Sequence, residues 1–150
     1  MSFTVDASDM DRFGTRLQGA ERIVGNALTR GVDRLTIAAE GFAKEGVGVR
    51  TGHLRRSIAH RPAVFAGGVA TGSVGTNVPY ARIHEEGRGP VVARGKALRF
   101  TVGGKTIYRK RVGPAAGRWY MKKARARVQP MMRAEAARMG AEIMAEVMSA

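Results

Sequence analysis

One periodicity constrains this chain more than any other feature. From Met10 to Phe42, apolar or small residues recur three or four positions apart, at Met10, Phe13, Leu17, Ala20, Val24, Leu28, Val32, Leu35, Ala39 and Phe42. That spacing gathers them on one side of a single α-helix. Ser8 offers an N-cap oxygen with Asp11 three residues on, acids crowd the first turn, and Gly46 and Gly48 supply the stop, so the helix is expected over about residues 8–45. Roughly 35 residues make a rod of roughly 50 Å. The whole chain has 150 residues, the size of one domain, and a rod of that length outruns the core such a domain can build. Two readings follow, and both can hold. Part of the stripe meets another subunit, or the helix lies across its own sheet, with Gly14, Gly19, Gly25 and Gly31 weakening it or letting a neighbour pack closely.

Beyond Gly48 the period changes. Ile58 to Ala66, Gly67-Gly68 and Val69 to Thr76 read as a hairpin, with Pro62 demanding an edge or a bulge in the first arm. Leu98, Phe100 and Val102 alternate with polar residues, Gly103-Gly104 turns the chain, and Thr106 to Val112 returns. Two hairpins predict a small antiparallel sheet over about residues 50–112. Between them, Tyr80 to Glu86 reads as a short helix closed by Gly87, and Arg88 to Gly95 as an exposed loop. A helix is expected from about Arg118 to Val128. Pro130 then starts a last one with Met132, Ala136, Met139, Ile143 and Val147 on one face, so the C-terminal helices span about residues 117–149. The expected fold is a single α+β domain, residues 1–150.

Charge is distributed unevenly. Lys and Arg number 26 against 12 Asp and Glu, a net charge of +14. Residues 1–45 carry 6 basic and 7 acidic side chains, residues 46–130 carry 18 and 2, and residues 131–150 carry 2 and 3. Nearly neutral ends flank a cationic middle, which points to a polyanion or an acidic protein surface nearby. No apolar run reaches the roughly 18 residues of a membrane span, so no membrane partner is expected. Asp6 and Asp9 argue against a secretory leader. The absence of cysteine removes disulfides, thiolate metal sites and thiol nucleophiles.

Catalytic chemistry finds little material. In His84-Glu85-Glu86, consecutive helical positions point in different directions and cannot converge on one metal or proton. The H-E-x-x-H pattern fails because position 88 is Arg. The glycine pairs fit neither a phosphate loop nor a dinucleotide fingerprint. The expectation is a protein that is not an enzyme, with no catalytic residue, metal or cofactor.

Two stretches are more specific. Arg50-Thr51-Gly52-His53-Leu54-Arg55-Arg56-Ser57-Ile58 follows the long helix. Val74-Gly75-Thr76-Asn77-Val78-Pro79-Tyr80-Ala81-Arg82-Ile83-His84-Glu85-Glu86-Gly87 closes the first hairpin. Their physics suits packing. Thr51 can cap a turn, Gly52 permits a left-handed backbone, Leu54 and Ile58 return the chain to the core, and Ser57 completes the first stretch. Tyr80 and Ile83, three apart, are expected to anchor the short helix on the sheet, and Gly87 to end it. His84 and Glu85 point elsewhere and are candidates for subunit contacts, together with Arg88, Arg109, Lys110 and Arg111. The last three alternate in facing along one expected strand, which makes salt bridges to acidic neighbours a better reading than a DNA stripe.

Taken together, in this order after an N-terminal helix, the two stretches resemble the tail-completion and head-tail joining proteins of long-tailed double-stranded DNA bacteriophages. There the motifs run roughly R-T-G-x-L-x-x-S and V-G-(T/S)-x-x-x-Y-A-x-(I/Y)-(H/V)-E-x-G. The chain departs from the pattern before the closing helix, where Gly117-Arg118-Trp119-Tyr120-Met121 replaces the proline and apolar pair that members often carry. The resemblance implies a structural virion protein of the neck or tail top, assembled as a homo-oligomeric ring, six-fold by analogy. Its implied partners are head-completion proteins and tail-terminator or tail-tube proteins, with DNA only as passing cargo in the channel. The implied location is the virion, reached through the host cytoplasm during assembly. The competing class is a basic nucleic-acid-binding protein, against which stand the 6% aromatic content and the lack of any known DNA-reading motif.

Overall fold

A computed structural model describes the backbone of residues 8–149 and the side chains of residues 19–149. The expected cap at Ser8 and Asp11 and the stripe positions Met10, Phe13 and Leu17, with Gly14, lie outside the described side chains. The fold is a mixture of helix and strand, as the two periodicities require. Helix α1 spans Ser8–Gly46. A short α2, His53–Ser57, leads into the hairpin of β1, Ala59–Ala66, and β2, Val69–Gly75. After α3, Ala81–Glu86, come six strands: β3, Gly87–Arg88; β4, Val91–Val92; β5, Leu98–Val102; β6, Lys105–Arg109; β7, Arg111–Val112; and β8, Ala115–Ala116. Helices α4, Tyr120–Val128, and α5, Met131–Ser149, close the chain.

The two hairpins form as the turn glycines require, but they do not share a sheet. Among the described strands β1 pairs only with β2. The second hairpin is the end of a longer ribbon, in which β3 pairs with β8, β4 with β7 and β5 with β6, nested and antiparallel. Arg88 to Gly95 is therefore not simply a loop, since Arg88, Val91 and Val92 belong to the outgoing edge of this ribbon. The expected strand from Thr106 to Val112 is broken at Lys110, whose carbonyl accepts the Ala93 N–H at 2.9 Å. Arg109, Lys110 and Arg111 thus sit on two strands and a bend.

Helix α1 is the spine against which β1, β2, α4 and α5 all pack. Pro62 sits in a bulge, where the β1–β2 register slips between Arg61 and Val64. The freed N–H of Ala63 is taken by the Asp33 carboxylate of α1 at 2.6 Å. One turn pair further along α1, Glu40 accepts the backbone N–H of His60 at 2.8 Å and also its ring Nδ1. Two acids seven residues apart on the helix therefore fix the hairpin's edge. The close approach suggested by the helix glycines is real at Gly31, where the side chain of Met139 occupies the space a Cβ would need.

The core is compact and lies at the C-terminal end of α1. Ala43 and Val47 of that helix region meet Leu54, Ile58, Val78, Ala81, Tyr120 and Ala124. Among the described residues Ile58 and Tyr120 are the largest side chains fully enclosed, and burial of Ile58 is worth roughly 1.5–3 kcal/mol of transfer free energy. Helix α5 buries no residue at all. Its expected apolar face holds only in part: Met139 and Ile143 are half-buried, whereas Met132, Ala136 and Val147 are exposed. Ions hold it instead. Arg34 of α1 reaches Glu135 at 2.6 Å and Glu142 at 3.2 Å, and Arg30 reaches Glu146 at 2.7 Å.

Candidate functional site

Both sequence motifs deliver their residues to one place. Thr51 accepts a long bond from the His53 N–H at 3.4 Å. Gly52 then sits in the left-handed region, φ 74°, which a branched residue would resist. Leu54 and Ile58 follow into the core. Ser57 bonds the Leu54 carbonyl at 2.8 Å and the Thr76 hydroxyl at 2.7 Å, joining the first motif to the second. Thr76 in turn accepts the Val78 N–H at 3.2 Å. Val78 and Ala81 complete the contact with Leu54 and Ile58. The two stretches are a single packing unit, which is how residues some twenty positions apart come to share a pattern.

The facing of α3 differs from the sequence expectation. Ile83 and Tyr80 are 44% and 40% exposed, and it is Ala81, 8% exposed, that seats the helix. The turn at Val78 directs Ala81, the first residue of this six-residue helix, inward and leaves Tyr80 before it and Ile83 after it outward. Tyr80 lies beside two imidazoles, its hydroxyl 3.1 Å from His53 Nδ1 and its ring 5.6 Å from that of His84. Glu85 is likewise engaged within the chain. Its two carboxylate oxygens accept the N–H groups of Met121 at 2.9 Å and Lys122 at 3.0 Å, capping the first turn of α4. The carbonyls of His84 and Glu85 accept the N–H groups of Arg118 and Trp119 at 2.8 and 3.0 Å. His84 is half-buried by this crossing. Trp119 is the only described non-glycine residue at positive φ, 54°, and remains 43% exposed. Between Trp119 and Met121, it is Tyr120 that enters the core, and its hydroxyl pKa is raised, first by burial and then by the Glu85 charge.

The same crossing forms the root of the ribbon. Gly87, at φ 85°, ends α3 by donating to the Ile83 carbonyl. A Cβ on Gly87 would strike the backbone of Ala115 and Gly117, and one on Gly117 would strike that of Glu85 and Glu86. Arg88 spans the base, its guanidinium bonding the carbonyls of Gly89 at 3.2 Å and Gly113 at 3.4 Å. Beyond it, no residue from Pro90 to Ala116 is buried. Arg109, Lys110 and Arg111 are all exposed. Sequence reasoning named these cations but did not see the arm. The legible signal was thirty residues, Gly87 to Ala116, with eight cations and no acid.

A groove of about 370 Å³ opens between α1, β2, α4 and the start of α5, lined by Leu35, Ala39, Val74, Met121, Ala124 and Met132. It gathers no converging polar groups beyond Thr36, Arg125 and Gln129. Among the described residues no three His, Asp or Glu side chains stand close enough to share a metal ion. No described helix is long and apolar enough to cross a membrane. No protein-family model, curated protein or solved structure matches the chain. The site is therefore read from its own geometry: a packed motif unit with a clamped, cationic ribbon extending from it.

Proposed function

We propose that the chain is a structural subunit of a ring at the neck or tail top of a long-tailed double-stranded DNA bacteriophage, and not an enzyme. In this reading copies close into a ring, six-fold as in the resembled family, between head-completion proteins and a tail-terminator or tail-tube protein. DNA crosses the channel as cargo. The working location is the virion, after assembly in the host cytoplasm.

The observation that carries the reading is exposed apolar surface. Among the described residues Ile37, Val64, Met132 and Met144 are each more than half exposed. Such surface is characteristic of a subunit completed by its neighbours. The paired motifs at residues 50–58 and 74–87 supply the particular kind of assembly. The competing reading, a free nucleic-acid-binding protein, draws on the fourteen basic residues that separate Gly87 from Glu135 without one acid.

Mass spectrometry of purified virions that encode the chain, with light scattering and negative-stain imaging of the purified protein, tests the proposal. A constant ratio to the tail-tube protein and a closed ring are expected. A compact monomer at high concentration, together with absence from virions, would overturn it.

A further inference from the structure

The ribbon from Gly87 to Ala116 has a face on which no other described element packs extensively. Its register pairs Leu98 with Arg109, Phe100 with Ile107 and Val102 with Lys105, so these six side chains share one side. Arg99 with Tyr108 and Thr101 with Thr106 share the other. The first side is an apolar strip, Leu98, Phe100, Ile107 and Val102, with a cation at each end. The return edge alone, residues 105–116, reaches up to roughly 40 Å at strand rise. A two-stranded ribbon is at best marginally stable by itself in water. Among the described residues this one is clamped at its root, through Gly87, Gly117 and the Glu85 cap.

None of its eight cations makes an ion pair among the described residues. Among the described acids other than Glu21, a second copy offers few free carboxylates to meet them. Glu40, Glu45, Glu86, Glu135, Glu142 and Glu146 are held by cations of the same chain. Asp33 and Glu85 are spent on backbone N–H groups. Two ribbons laid edge to edge would repel, sixteen cations against none, which is how lysine-rich edges block self-pairing. Nucleic acid fits less well. Phosphates would meet an apolar strip on one face, and the cations are divided between both faces instead of forming one stripe.

We propose that this ribbon is a docking arm for a different protein, whose surface presents an apolar strip bordered by carboxylates. The partner's apolar residues cover Leu98, Phe100 and Ile107, and its carboxylates pair with Lys105 and Arg109 at the ends of the strip. Such a strip can be carried by an extended segment that adds to the open edge of β5 or β6, with backbone hydrogen bonds supplying affinity and the alternation supplying specificity. The inference stands on the ribbon alone and holds whether or not the chain belongs to a phage neck.

Three labelled probes distinguish the occupants: a soluble peptide alternating Glu with Val, a polyglutamate of equal length, and duplex DNA. Anisotropy is followed with the full-length protein at physiological salt. The alternating peptide is expected to bind tightest. Phe100→Ser with Ile107→Ser, and separately Lys105→Glu with Arg109→Glu, should each weaken it by roughly ten-fold or more. Because β5 and β6 make no extensive contact with any other described element, circular dichroism melting of both variants should match the parent, which separates lost docking from lost folding. DNA binding tighter than either peptide, with a slope of about −0.9 in log K per log salt for each phosphate met, would replace the proposal with a nucleic-acid arm. Self-association abolished by Lys105→Glu with Arg109→Glu would assign the face to a second copy. Equal binding of polyglutamate and the alternating peptide, indifferent to Phe100→Ser with Ile107→Ser, would remove the apolar strip from the interface. Virion composition touches none of these outcomes.

Discussion

The Glu85 carboxylate accepts the Met121 N–H at 2.9 Å across 36 residues of sequence, joining the end of α3 to the start of α4. Everything between the two residues is the ribbon and its return. One short acid thus closes the loop that carries the arm and satisfies a helix end that has no side-chain cap of its own.

Glu85→Ala should cost about 0.5–2 kcal/mol, the usual range for loss of an N-terminal cap. Urea unfolding measures it. Amide exchange should rise first at Gly87, Arg88, Gly117 and the opening turn of α4. A loss of stability with no local change near Gly117 would mean that the cap does not hold the root.

Ile83→Ala, at a position 44% exposed, should change stability by less than about 1 kcal/mol. Ile58→Ala, at a fully enclosed site, should cost about 2–5 kcal/mol. Denaturant midpoints of the two variants check the facing of α3. A comparable loss from both would return Ile83 to the core.

Glu40 is held to a pKa of about 2, chiefly by Lys44 and then by the His60 ring and backbone. Its folded value lies below the unfolded one near 4.5, so the native state is favoured above the unfolded value. That contribution fades as pH falls from about 4.5 towards about 2. Melting temperatures across this window should fall more steeply for the parent than for Glu40→Gln, with the hairpin edge at His60 opening first. Parallel acid curves would show that the contact carries no pH dependence.

Arg34→Ala should release α5 more than it weakens the whole chain, with a global cost of about 1 kcal/mol or less. Amide exchange in Met131–Ser149 should accelerate while β1 and β2 keep their protection. High salt should act on the parent in the same direction, since the pairs are partly exposed. Unchanged exchange in α5 would mean that Met139 and Ile143 suffice to hold it.

Much of this architecture is written in local pattern. The spacing from Ala20 to Phe42 reports the helix, Gly67-Gly68 and Gly103-Gly104 report the turns, and Pro62 reports the bulge. The motif residues Gly52, Leu54 and Gly87 behave as their chemistry suggests. What the sequence does not display is choice of partner. Nothing local tells that β1–β2 and β5–β6 pair within themselves alone, because an apolar alternation fits a shared sheet equally well. The inward residue of α3 is a small alanine rather than its bulkier neighbours, which depends on the rotation set by the Val78 turn. Glu85 looks like a surface acid until the chain returns to it at Met121. Helix α5 reads as apolar from its methionines, yet Glu135, Glu142 and Glu146 meet the arginines of α1, a match visible only once the two helices lie side by side.

The crossing of Gly87 with Gly117 also has a mechanical side. A pull on a loop usually spends itself in side-chain rotamers before it reaches a helix. Here main chain lies directly against main chain, with α3 on one side and the start of α4 on the other. Load applied to the far end of the ribbon therefore arrives at the two helices with little slack, and the ribbon behaves as a lever whose fulcrum is a pair of glycines.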